Sequence, residues 1–164
     1  MKTALAEFHP DSVTVVGHSA GGAVALLDAV LLSAQPYVDV AVNAITFGMP
    51  RVGNKAFADL VDQRISLVRI INKEDFIPTL PLPRFGYHHP SGEIRILESG
   101  VWVSCPGSLF FFLLGPYCAL SHFLTSIQGT SNQCIIGGPE GESLKGSLWD
   151  HFGPYYGVEM LCHK

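Results

Sequence analysis

The stretch that most limits what this chain can fold into is VVGHSAGGAVAL, Val15 to Leu26, where a serine stands between two glycines at the spacing Gly17-x-Ser19-x-Gly21. With 17 glycines and 13 serines in 164 residues, about 0.14 such matches arise by chance, so the flanks must decide. Upstream, SVTVV (Ser12 to Val16) is a β-branched run; downstream, GGAVALLDAVLLSA (Gly21 to Ala34) is an apolar helix former with no internal proline. Strand, sharp turn and helix in that order put the serine hydroxyl at a helix N-terminus. There the dipole and unbonded N–H groups favour a developing oxyanion. Side chains two residues before and two after the serine are expected to collide as the helix packs on the strand, and glycine at both places avoids this. Ser19 is the candidate nucleophile; an ordinary turn serine is the alternative.

The rest of the chain continues the alternation. Thr3 to Phe8 reads as the tail of a helix. Val38 to Gly48 is a near-continuous apolar run suited to a strand covered on both faces. Lys55 to Arg64 has helical patterning, Ile65 to Asn72 reads as a strand, and Gly92 to Cys105 as a hairpin turning at Ser99 and Gly100. The order β-α-β-α-β predicts a mostly parallel α/β sheet, with reactive groups gathered at the carboxyl ends of its strands. Composition agrees: 48% hydrophobic against 15% charged residues describes a globular chain, long enough to bury about 70% of its unfolded surface. A net charge of −4 with scattered Lys and Arg leaves no basic patch for nucleic acid or a membrane surface. The opening MKTALAEFHP lacks the apolar core of a signal peptide.

A nucleophilic serine needs a base and an acid. In a parallel sheet the acid belongs in a loop after a strand that follows the nucleophile, and NKEDFIP from Asn72 offers Glu74 and Asp75. Asp28, Asp59 and Asp62 lie on expected helices and are read as facing water. The base should come later still. His18 adjoins the nucleophile and cannot turn back on it; His88 and His89 come early, His122 lies in an apolar run, and His163 is penultimate. His151, in LWDHFGPYYG after all the strands, is the best candidate.

Five blocks in order, VVGHSAGGAVALL, ITFGMPRVGNKAFADLV, RIINKEDFIPTLPL, GYHHPSGEI and DHFGPYYG, resemble the fungal class 3 lipases, a triacylglycerol lipase family that includes feruloyl esterases. The resemblance covers most of residues 1–104 and 128–164. It implies an α/β-hydrolase fold with Ser19 as nucleophile, His151 as base and Asp75, before FIPTLP, as the acid in preference to Glu74. The chemistry implied is acyl transfer without metal or cofactor, on an ester or lipid substrate, outside the cell, with a lipid–water interface as its setting. No nucleic acid and no stable protein partner are expected. The resemblance does not separate glyceride from feruloyl esters.

Relative to that family the chain begins just ahead of the nucleophile strand, so it is expected to lack the N-terminal strands, the lid and the loop giving the first oxyanion hydrogen bond. The N–H of Ala20 then remains as oxyanion donor. Loss of one donor typically reduces rate about 10²- to 10³-fold, and missing strands expose a sheet edge to aggregation. The chain by itself is therefore expected to be poorly soluble and nearly inactive, and a catalytically inert lipase-like fragment or binding module is the alternative function. The resemblance also implies a disulfide between Cys105 and Cys134, with Cys162 unpaired.

The chain is read as one partial domain over 1–164 with an apolar insertion at about 107–127. From Ser99 to Pro139, 41 residues carry no Asp, Glu, Lys or Arg. A membrane helix is disfavoured by Gly115, Pro116 and His122 and by the absence of a following basic flank. The expectation is a translated intron without functional role, lying outside the packed core.

Overall fold

The computed structural model describes residues 1–105, 127–130 as backbone, 146–158 and 160. Helix α1 (Lys2–Phe8) ends at His9 in the left-handed region, and strand β1 (Ser12–His18) follows. Helix α2 spans Ala20–Ser33, strand β2 Ala41–Phe47, helix α3 Lys55–Arg64 and strand β4 Ser66–Asn72, with a two-residue strand β3 at Gly53–Asn54. Beyond them lie β5 (Tyr87–His88), β6 (Glu93–Ile96), β7 (Trp102–Ser104), β8 (Ile127–Thr130) and a short helix α4 (Leu148–His151). The main sheet has the order β1-β2-β4-β6-β7-β8. All its neighbours are parallel except the β6–β7 hairpin, closed by a turn in which Gly100 takes φ 78°. This is the α/β architecture expected, an α/β-hydrolase sheet with helices on its faces.

Strand β4 shows why such a sheet holds together. Six of its seven residues are buried, as a strand covered on both faces requires. Leu67 joins Leu26 and Ala29 of α2, Val61 of α3, and Val42 and Ala44 of β2 in one apolar cluster. Val68 and Ile70 point the other way, into a cluster with Ile94, Ile96, Trp102 and Tyr155. That alternation is the period-2 geometry of a strand. Between β4 and β6, the register partners Arg69 and Glu93 form a fully buried ion pair at 3.2 Å, and Arg69 Nε also donates to the carbonyl of Pro90.

Several expectations need correction. The second strand begins at Ala41, three residues later than the apolar run, because Val38 closes a turn on the carbonyl of Gln35. Asp62 does not simply face water: its Oδ1 accepts from both the N–H and the hydroxyl of Ser91, tying α3 to the loop before β6. Asp59 is exposed and pairs with Lys55 one turn away. The apolar insertion expected at about 107–127 lies outside the described residues except at its last position. Ile127 pairs with Trp102 at the start of β8, so that end joins the sheet. Cys105 is buried and disulfide-bonded, but its expected partner Cys134, and Cys162, lie outside the described residues. No helix among the described residues is long and apolar enough to cross a membrane.

Candidate active site

The turn between β1 and α2 is built from backbone sterics. Ser19 sits at φ 55°, ψ −131°, a conformation that L residues rarely adopt, and its N–H is anchored on the carbonyl of Phe47 at 2.8 Å. A Cβ on Gly17 would stand 2.2 Å from the carbonyl oxygen of Gly21, and one on Gly22 would stand 3.1 Å from that of Gly17. At Gly21 a Cβ would meet nothing within 4 Å among the described residues. The collision expected at both motif glycines therefore applies to Gly17 alone, and the second tight position is Gly22. Ala20, first residue of α2, carries an N–H that has no carbonyl partner within the helix.

The loop that carries the candidate acid follows β4 directly. Asp75 N–H bonds back to the carbonyl of Asn72, turning the Asp75 side chain inward, where it is 2% exposed. Its Oδ1 accepts from the N–H of Ile77 at 2.9 Å. Glu74, the competing acid, points outward to Arg95 at 3.3 Å and is 63% exposed. Burial holds the Asp75 carboxyl above the ordinary carboxylate range, against the opposing pull of His151 and the Ile77 N–H.

The candidate base arrives from a segment far along the chain. His151 ends α4, which is capped by Ser147 accepting from the Asp150 N–H. The segment lies on the acid loop through Ser147 N–H to the Glu74 carbonyl at 2.8 Å. Gly146 allows this approach, since a Cβ there would stand 2.4 Å from the same oxygen. Asn72 Nδ2 donates to the carbonyl of Asp150 at 3.0 Å. His151 itself is 3% exposed. Its Nδ1 lies 2.9 Å from Asp75 Oδ2 and its Nε2 2.8 Å from Ser19 Oγ. A carboxylate can only accept, so Nδ1 carries the proton, and Nε2 is left with a lone pair to accept from the serine hydroxyl.

The structure thus brings Ser19, Asp75 and His151 into one hydrogen-bonded chain, with the Ala20 N–H beside the serine. It does not bring the other described histidines there as bases. His88 lies in β5 opposite Gly53, and the ring of His89 bonds the carbonyl of Pro78; His122 and His163 lie outside the described residues. Three site residues escaped the sequence reading. Gly48 has φ +56°, and a Cβ there would stand 2.8 Å from both Asp75 Oδ2 and His151 Nδ1; the only signal was its place after an apolar strand. Tyr155 donates to the carbonyl of His151 at 3.2 Å, and burial first, then Asp75, raises its phenol far above its usual range. His18, set aside as unable to reach Ser19, turns instead to the base: its Nε2 lies 2.7 Å from the carbonyl oxygen of His151.

The family model described as Lipase (class 3) matches residues 1–85. The secreted mono- and diacylglycerol lipase MDL2 of Malassezia globosa is 38% identical over 105 residues, 62% of this chain and 34% of the relative. Secreted mono- and diacylglycerol lipase 3 of Gibberella zeae is 37% identical over 106 residues, 62% of this chain and 33% of the relative. Among solved structures, lipase II from Rhizopus niveus superposes with TM-score 0.54 at 36% identity, covering 58% of this chain and 37% of that one. A triacylglycerol lipase whose catalytic centre is formed by a serine protease triad gives TM-score 0.52 at 38% identity, covering 57% and 37%. The chain spans about a third of the length of the curated relatives it matches. It belongs to the class 3 lipase family.

Proposed function

We propose that the chain carries the reaction centre of a secreted, lipase-type serine ester hydrolase acting on glyceride esters. The observation that supports this reading is the double hydrogen bond of His151, to Asp75 on one ring nitrogen and to Ser19 on the other. Ser19 Oγ attacks the ester carbonyl carbon as its proton passes to His151 Nε2, and the carbonyl oxygen becomes an oxyanion facing the N–H of Ala20. The intermediate collapses, and the leaving alcohol takes the proton from His151. Water then attacks the acyl-serine by the same route and releases the acid. Asp75 keeps the imidazole in the Nδ1–H tautomer and stabilises the imidazolium in each half-reaction.

Exposed apolar side chains flank the base: Leu148 and Trp149 just before it, Tyr156 and Val158 just after. They favour a lipid–water surface as the working environment. The names of the relatives speak for mono- and diacylglycerols over feruloyl esters, and for an extracellular protein. The single domain over 1–164, with its apolar insertion at about 107–127 and a Cys105–Cys134 bridge, belongs to the same reading. The test is hydrolysis of monoacylglycerol and of p-nitrophenyl acyl esters by wild type and Ser19→Ala. The variant should lose turnover by about 10⁴-fold or more while keeping the fold. Retained wild-type activity in Ser19→Ala would refute the reading.

One observation favours a second reading, in which the chain by itself is inert. Strand β1 is the outermost strand of the described sheet, its Val16 is 59% exposed, and Val24, Leu27 and Leu31 form an exposed stripe on α2. An apolar helix face beside an open strand edge invites aggregation. A soluble monomer with lipase-level turnover would exclude this reading.

A further inference from the structure

We propose that His18 is a positioning residue for the base, fixing His151 against Ser19 through the His151 carbonyl. The inference rests on the hydrolase reading above. A carbonyl oxygen cannot donate, so the 2.7 Å contact requires the proton on His18 Nε2. The ring of His18 lies over that of His151 with centroids 4.6 Å apart and planes tilted by 36°. His18 is itself boxed in by the Tyr155 ring at 5.9 Å and the Phe152 ring at 6.3 Å, so it has little room to release its hold.

The significance lies in where the clamp comes from. The segment bearing His151 is tied on one side to the acid's element, through Asn72 to the carbonyl of Asp150 and through the Glu74 carbonyl to Ser147 N–H. At His151 itself, the described hydrogen bonds to its carbonyl come from His18 and, at the longer distance of 3.2 Å, from Tyr155. His18 is joined to Ser19 by one peptide bond. The positive φ of Ser19 breaks the side-chain alternation of the strand, so the hydroxyl and the neighbouring imidazole reach the same histidine from two directions: one to its Nε2, the other to its backbone. Nucleophile and base are thereby held in register by a single dipeptide, and a displacement of about 1 Å between them is worth on the order of 10²-fold in rate.

Two variants separate the donor from the ring. His18→Phe keeps an aromatic face over His151 and loses the donor; His18→Gln loses the ring and keeps an amide N–H at nearly the same reach. The rate at which a fluorophosphonate labels Ser19, and kcat and KM for a p-nitrophenyl ester, are measured alongside the melting temperature. The expected result is a loss of about 10- to 10²-fold in labelling rate and kcat for His18→Phe, with KM within about twofold. His18→Gln should recover to within about threefold of wild type. Equal rates in Phe and Gln variants, or losses that follow melting temperature alone, overturn the proposal. Nitrogen-15 NMR of the His18 ring in the same wild-type protein reads the clamp without catalysis. A proton on Nε2 supports it, and one on Nδ1 overturns it. A wild type that is not labelled at Ser19 but shows the Nε2 proton would sink the hydrolase reading and leave the clamp standing as a structural bond.

Discussion

The proposed nucleophile and the proposed base are held by opposite means. Ser19 is fixed by its immediate neighbours: Gly17 and Gly22 let strand and helix backbones touch, and the strained turn follows from that contact. His151 is fixed by donors from distant parts of the chain, His18 and Asn72, together with Tyr155 four residues on, all acting on backbone carbonyls of a four-residue helix with little packing of its own. Local sterics admit few substitutes, whereas a set of long-range hydrogen bonds loses function in increments. The two halves of the site should therefore respond differently to mutation.

The largest effect is expected at the nucleophile turn. Gly17→Ala drives a methyl into the carbonyl of Gly21 with only backbone to yield, and should destabilise by about 3–5 kcal/mol and abolish soluble expression or activity. A urea melt within about 1 kcal/mol of wild type would show that the turn can relax. At the junction of the two regions, Gly48→Ala combines a left-handed φ with intrusion on the Asp75–His151 bond. It should lower kcat by about 10³-fold or more, as expected when the base loses its orienting acid. Steady-state kinetics with unchanged far-ultraviolet circular dichroism would separate this from unfolding.

A third effect concerns pH. The folded Asp75 carboxyl is raised above its unfolded value of about 3.9 by burial. In the window between the unfolded and folded values the folded state binds more protons than the unfolded one. Stability therefore falls as pH rises through that window, and the loss is complete above the folded value. Asp75→Asn cannot ionise, so its melting temperature should fall less with rising pH across the acid range. An equal slope in variant and wild type would mean that burial is not penalising the carboxylate. The smallest effect is expected at the other motif glycine: Gly21→Ala enters open space on a helix and should stabilise by up to about 1 kcal/mol. A loss of stability there would show that the turn constrains both glycines after all.

This division also explains how much of the fold and the candidate site is legible in the sequence. The strand–turn–helix around Ser19 is contiguous, so pattern and spacing expose it together with the parallel sheet. Pattern alone located the acid only to within one residue, because nothing in KED tells which carboxyl turns inward, and the family resemblance chose Asp75 over Glu74; the Asn72 turn is what points Asp75 inward. His18 looked idle because its partner is 133 residues away and is a backbone carbonyl rather than the nucleophile. Gly48 carries no side chain to notice, and its meaning lies in the bond it leaves room for. Asp62 was assigned to water by its helix position, while Ser91 reaches it from a loop that no helical periodicity describes. The two-residue strands β3 and β5 are too short to leave an alternating pattern.

In the proposed mechanism Ser19, His151 and Asp75 act as one acyl-transfer unit. Intact-mass and peptide mapping after fluorophosphonate treatment test it most directly, on wild type, His151→Ala and Asp75→Ala. One adduct per wild-type chain is expected, on Ser19, with labelling slowed by about 10³-fold or more in His151→Ala and by less in Asp75→Ala. Labelling at another residue, or at Ser19 at an undiminished rate without His151, would contradict it.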